Sequence, residues 1–103
     1  MRIISGKFKG KKLFHPTDEK TRPLKDLVKE SIFNLIVHSK DFNFNLSDSI
    51  VLDLFSGSGS FGIECLSRGA KKVIFLEKYP KAIKILENNI KSLNDINNYK
   101  IIK

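Results

Sequence analysis

Residues 50–62 constrain this chain more than any other stretch. An apolar run, Ile50-Val51-Leu52, passes through Asp53 and Leu54 into Phe55-Ser56-Gly57-Ser58-Gly59-Ser60-Phe61-Gly62. An apolar segment of strand length that breaks into closely spaced glycines and then takes up helical spacing reads as strand, tight loop and helix. The downstream grammar continues the pattern: strand 50–54, helix 58–68 ended by Gly69, strand 72–77, a helix from Pro80 to about residue 93, and a third strand over 99–103. Strands alternating with helices predict a parallel sheet with right-handed crossovers. Ala82, Ile83, Leu86, Ile90 and Leu93 are the expected buried stripe of the second of these helices.

Gly57, Gly59 and Gly62 make a GxGxxG spacing, which alone is a weak signal. Its context strengthens it, because the loop follows an apolar strand, opens a helix, and has Glu77 at the end of the next strand. Glycines let the backbone turn tightly and let a ligand approach, and the helix start offers free amides. Glu77 is placed to accept hydrogen bonds from a ribose diol. That geometry serves a dinucleotide or S-adenosyl-L-methionine alike, and Asp53 discriminates between them. A carboxylate about 6 Å from a pyrophosphate charge costs roughly 3 kcal/mol at an effective dielectric near 20. The same acid favours a ligand carrying a sulfonium and an ammonium and no phosphate. The expected cofactor-binding residues are Asp53, Phe55, Ser56, Gly57, Ser58, Gly59 and Glu77. Gly59 and Gly62 can alternatively serve close helix-to-strand packing, and Asp53 can cap the following turn. No Lys-Ser/Thr pair follows the glycines, which excludes a nucleotide-triphosphate P-loop.

Upstream, residues 1–13 read as a small hairpin with Lys7, Lys9, Lys11 and Lys12 around its turn. Thr21-Arg22-Pro23 then looks like a helix start, since proline suits the first helical position. A helix to about Val37 is expected to bury Leu24, Leu27, Val28, Ile32, Leu35 and Ile36 and to expose Lys25, Asp26, Lys29 and Glu30. Residues 1–48 thus form an N-terminal extension, and 49–103 the first half of a Rossmann-like domain. Three parallel strands are half of a doubly wound sheet, so the chain is expected to be a fragment of a longer one.

Charge is unevenly placed. The net charge is +8, and the first twelve residues hold five bases and no acid. A basic arm beside a nearly neutral body suggests a nucleic acid partner, although a solvated basic surface has the same composition. Apolar runs are too short for the ~20 residues of a membrane helix, and the N-terminus lacks the apolar centre of a secretory signal, so a cytoplasmic location follows by default. Cys65 is the only cysteine. It excludes an intrachain disulfide, leaves no cysteine-based metal site, and reads as a small buried hydrophobe.

Taken together, these residues resemble the bacterial 16S rRNA guanine-N2 methyltransferase family. The resemblance runs through the chain in order: residues 1–10 look like its N-terminal hairpin, Thr21-Arg22-Pro23 with Glu30, Phe33 and Asn34 like its first helix, and Asp53 to Gly62 with Glu77 like its cofactor motifs. It implies an α/β, Rossmann-like class I methyltransferase fold, here a partial parallel sheet with a β-hairpin and helix extension. It also implies S-adenosyl-L-methionine as cofactor and ribosomal RNA or the small ribosomal subunit as partner. Arg2, Lys7, Lys9, Lys11, Lys12 and Arg22 would be the residues on the RNA, with no metal, no membrane, and a monomer when full length. Such enzymes hold the exocyclic amine with an Asn/Asp-Pro-Pro-aromatic motif. Pro16, Pro23 and Pro80 are the only prolines here, so no catalytic residue is assigned. Two rival readings remain: a non-catalytic RNA-binding module resting on the basic hairpin, and a dinucleotide oxidoreductase fragment, which Asp53 opposes.

Overall fold

A computed structural model describes residues 1–15, 26–39, 41 and 45–103. Among these, the elements run α1 (Asp26–His38), a 3₁₀ turn (Leu46–Asp48), β1 (Ile50–Leu54), α2 (Ser60–Ser67), β2 (Lys72–Leu76), α3 (Pro80–Lys91) and β3 (Tyr99–Ile102). The strands form one parallel sheet in the order β1-β2-β3, with Asp53 opposite Phe75 and Leu54 opposite Leu76. This is the expected α/β grammar. The strand and α3 boundaries agree with the sequence reading to within two residues. α2 begins two residues late because Gly59, at φ 85°, occupies its cap and keeps Ser58 in the loop. At the other end Gly69 takes φ 97°, and the amides of Gly69 and Ala70 return to the carbonyls of Leu66 and Cys65.

One face of the sheet carries the core. Val73 and Phe75 are fully buried and pack with Ile63 and Leu66 of α2 and Leu86 and Ile90 of α3. All five residues expected on the buried stripe of α3 are buried. The apolar sequence of β1 is compatible with burial on both faces of a parallel sheet. Ile50, Leu52 and Leu54 instead stand more than half exposed on the opposite face. Period-two alternation sends them away from the single helical layer. Cys65 is buried as expected, and burial together with the nearby Asp53 and Glu64 charges pushes its thiol up to about 12.

The N-terminal segment folds back over α2 and α3. Its antiparallel pairing is a single bridge, Arg2 to Lys12, flanked by bonds from Ile3 N to Lys11 O and from Leu13 N to Met1 O. Ile3 and Leu13 are buried in the same cluster as Val73 and Phe75. Asn89 of α3 grips the strand leaving the hairpin, accepting from Phe14 N and donating to Phe14 O.

Helix α1 overturns its expected orientation. Leu27, Val28, Leu35 and Val37 are exposed, while Lys29 and Phe33 are completely buried. Phe33 stacks on Phe61 of α2 with ring centres 5.0 Å apart. The Lys29 ammonium donates to Arg2 O at 2.7 Å and Ser60 Oγ at 3.1 Å, and lies 3.3 Å from Glu64. Apolar spacing pointed to the other face because it ignores a buried counter-charge. Once Glu64 is available, a lysine can be the residue that goes inside. The helix start expected at Thr21-Arg22-Pro23, with Arg22, Leu24 and Lys25, lies outside the described residues.

Candidate cofactor site

The site lies where β1 and β2 end. β1 delivers Asp53 and then turns sharply. Phe55 takes φ 56°, Gly57 φ 58° and Gly59 φ 85°, so three of five consecutive residues adopt the left-handed region. Glycine does this freely, whereas a phenylalanine there is strained by about 1–2 kcal/mol. Phe55 gains no burial in exchange, being 86% exposed. Strain without compensating burial makes Phe55 a candidate for a role at the site.

Two carboxylates frame the loop. Asp53 Oδ2 accepts from Gly62 N at 3.1 Å, which caps α2 with an acid from the preceding strand. Burial pushes the Asp53 carboxyl up to about 6, and the Glu77 charge adds to this, against the lowering effect of the Gly62 amide. Glu77 Oε1 accepts from Gly57 N at 2.8 Å, while Oε2 accepts from Lys78 N and Tyr79 N, both at 3.0 Å. It thereby ties the loop to the start of α3, where Pro80 stands at the first helical position. A carboxylate offers about four lone-pair directions, so three amides leave one for a hydroxyl. Among the described residues neither Asp53 nor Glu77 has an ion-pair partner.

The remaining loop residues divide their duties. Ser56 is structural: its amide donates to Leu76 O, and its hydroxyl donates to Asp53 O and accepts from Leu76 N. Ser58 is buried and passes its carbonyl to Asn89. A side chain on Gly59 would collide with Leu86, and one on Gly62 with Phe75. These two glycines therefore admit the core as much as any ligand.

The basic residues lie elsewhere. Arg2, Lys7, Lys9, Lys11 and Lys12 are all exposed on the N-terminal arm. Lys7 N donates to Ser67 O, and Gly6, at φ 89°, presses on the same carbonyl. The arm's tip thus meets the C-terminal end of α2, the end away from the cofactor loop. Sequence reasoning did not single out Glu64, which is fully buried, accepts from Ile4 N, Ser5 N and Arg68 Nε, and forms an ion pair with Lys29. The available signal was a lone acid inside the apolar run Phe61 to Leu66, four residues before Arg68.

A parallel sheet whose first strand runs through a glycine loop into a helix, with an acid closing each of the first two strands, is the Rossmann-like methyltransferase fold. The Escherichia coli protein yhhF, provisionally named a methyltransferase, superposes with a TM-score of 0.79 at 31% identity over 99% of this chain and 51% of that one. The chain belongs to the family described as Conserved hypothetical protein 95, whose model matches residues 1–103. It is 42% identical over 93 residues to ribosomal RNA small subunit methyltransferase D of Haemophilus influenzae, covering 90% of this chain and 45% of that protein. It is 39% identical over 101 residues to the protein of the same name from Buchnera aphidicola subsp. Acyrthosiphon pisum, covering 98% of this chain and 49% of the relative. The chain therefore spans about half the length of these relatives.

Proposed function

We propose that the loop binds S-adenosyl-L-methionine, and that the chain is the cofactor-binding part of a methyltransferase acting on the exocyclic N2 amine of a guanine in small-subunit ribosomal RNA. The observation that carries this reading is the acid pair, Asp53 and Glu77, which flanks a strained glycine loop with no ion-pair partner for either carboxylate among the described residues. Two such charges repel phosphate and favour a ligand bearing positive charge and hydroxyls. A dinucleotide fits this site poorly. The names of the relatives support ribosomal RNA as the substrate.

When bound, S-adenosyl-L-methionine supplies the methyl group. Asp53 stabilises the positive end of the ligand, and Glu77 uses its remaining lone pair to orient the ribose hydroxyls. Phe55 and Gly57 shape the wall of the loop, while the basic arm holds RNA phosphates. Residues 1–103 contain no Asn/Asp-Pro-Pro-aromatic motif, so none of them is assigned to the transfer step. Positioning the amine in line with the methyl group is the main source of acceleration in this chemistry.

Isothermal titration with S-adenosylhomocysteine tests the site. Glu77→Gln keeps an acceptor for Gly57 N but loses the charge-assisted bonds to the ribose, and should weaken binding about tenfold or more. Unchanged affinity in that variant would remove Glu77 from the site.

A further inference from the structure

We infer that the protein has a second ligand site, a pocket for an RNA backbone phosphate, centred on Arg68 at the C-terminal end of α2. This rests on the reading above that the substrate is RNA, and it names a contact that the basic arm alone does not provide.

Arg68 is held before any ligand arrives. Its Nε donates to Glu64 Oε2 at 2.8 Å, and its guanidinium lies 4.2 Å from the centre of the Phe33 ring. The side chain is only 14% exposed, yet its terminal amino groups have no hydrogen-bond partner among the described residues. An arginine has five N–H donors, and here a single one is used within the protein. Arg68 borders two adjoining cavities, of about 380 and 410 Å³, which share Ser5, Val37 and Arg68 on their walls. Lys9 of the arm and Asn34 and His38 of α1 line the first.

The local charge favours an anion. Glu64 is already matched by Lys29, so the charge of Arg68 is left over, and Lys9 adds a second. Among the described residues Glu30 is the one acid on the cavity wall, and the balance stays positive. Carbonyls at a helix C-terminus ordinarily repel anions. Here those of Glu64, Cys65, Leu66 and Ser67 are taken by the amides of Arg68, Ala70, Gly69 and Lys7. A planar fork fixed by stacking loses little freedom on binding, and its paired N–H groups match the two free oxygens of a phosphodiester. The eight residues of α2 put the Arg68 backbone about 12 Å along the helix axis from the glycine loop. That is roughly three to four stacked nucleotides at about 3.4 Å each, so the phosphate held here lies a short way along the strand from the target base.

Fluorescence anisotropy with a labelled 16S rRNA transcript, titrated between 50 and 200 mM salt, tests the pocket. Arg68→Lys keeps the charge but not the fork, and should bind about three- to tenfold more weakly with an unchanged salt slope. Arg68→Gln should also lower the slope of log K against log salt by nearly one. Asn34→Ala, an exposed neutral change with little hold on the fold, should weaken binding severalfold although it alters no charge. Affinity for S-adenosylhomocysteine, measured in parallel, should stay constant in all three. RNA binding that is indifferent to both Arg68→Gln and Asn34→Ala overturns the pocket alone. Absence of RNA binding in the unaltered protein overturns the pocket and the RNA reading together.

Discussion

On the proposed reading, the fold and the ligand call for opposite protonation states of Asp53. Its folded-state carboxyl stands at about 6 against an ordinary 3.8, so the folded chain binds this proton more tightly than the unfolded one. The sign follows: the contribution to stability is full below about pH 4 and is lost as pH rises through about 6. Asp53→Asn removes this dependence. Chemical denaturation at pH 7 should find the variant about 1–3 kcal/mol more stable relative to wild type than at pH 4. The ligand has the reverse requirement, because only the carboxylate attracts a cation. S-adenosylmethionine should therefore bind wild type about tenfold more weakly at pH 5, where roughly a tenth of Asp53 is ionised, than at pH 7, and calorimetry at both pH values checks it. Phe55 makes the same point through its backbone. Phe55→Gly relieves a φ of 56° and removes little buried surface, so the unfolding free energy should hold within about 1 kcal/mol of wild type while cofactor affinity falls. The acids and the loop could be read from sequence because they lie close together along the chain. The strain at Phe55 could not be, since nothing in a phenylalanine announces a left-handed backbone.

Helix α2 is the element on which the molecule turns, and its surface is read differently from each side. Toward the sheet it presents Gly62, whose missing side chain leaves room for the Phe75 ring and the Asp53 carboxylate. Gly62→Ala should cost about 1–3 kcal/mol by overpacking, and the double change Gly62→Ala with Phe75→Leu should recover part of that. Gly10→Ala is the contrast. A side chain there meets nothing within 4 Å, and only its φ of 87° resists, so about 1 kcal/mol is expected. Denaturant unfolding of the three variants separates close packing from backbone strain. Toward α1 the same helix presents Glu64, and here sequence periodicity misled. The hydrophobic pattern of residues 26–38 selects a face, but a buried ion pair selected another. Lys29→Met would leave Arg68 as the counter-charge of Glu64 and take the donor from Arg2 O, and should destabilise the fold by about 1–3 kcal/mol.

Across the whole molecule, the buried Glu64 carboxylate joins pieces that are far apart in the chain. It takes Ile4 N at 2.9 Å across 60 residues, together with Lys29 from α1 and Arg68 from its own helix. The basic arm is thus fastened to the layer that carries the glycine loop, which on the proposed reading would keep RNA on the arm in register with a ligand in the loop. Glu64→Gln should raise hydrogen exchange at Ile4 and Ser5 well before it affects the amides of β2, which separates loosening of the arm from global unfolding. The order of strands and helices, the glycine loop and the Asp53 and Glu77 positions were all present in the sequence, because strand and helix periodicity, turn chemistry and helix capping are decided over a few neighbouring residues. Which face of α1 turns inward, which face of the sheet is covered and how Arg68 keeps its donors unused were decided only by tertiary structure. Each depends on a charge or a ring supplied from a distant part of the chain, and its burial is favourable only once that partner is in place.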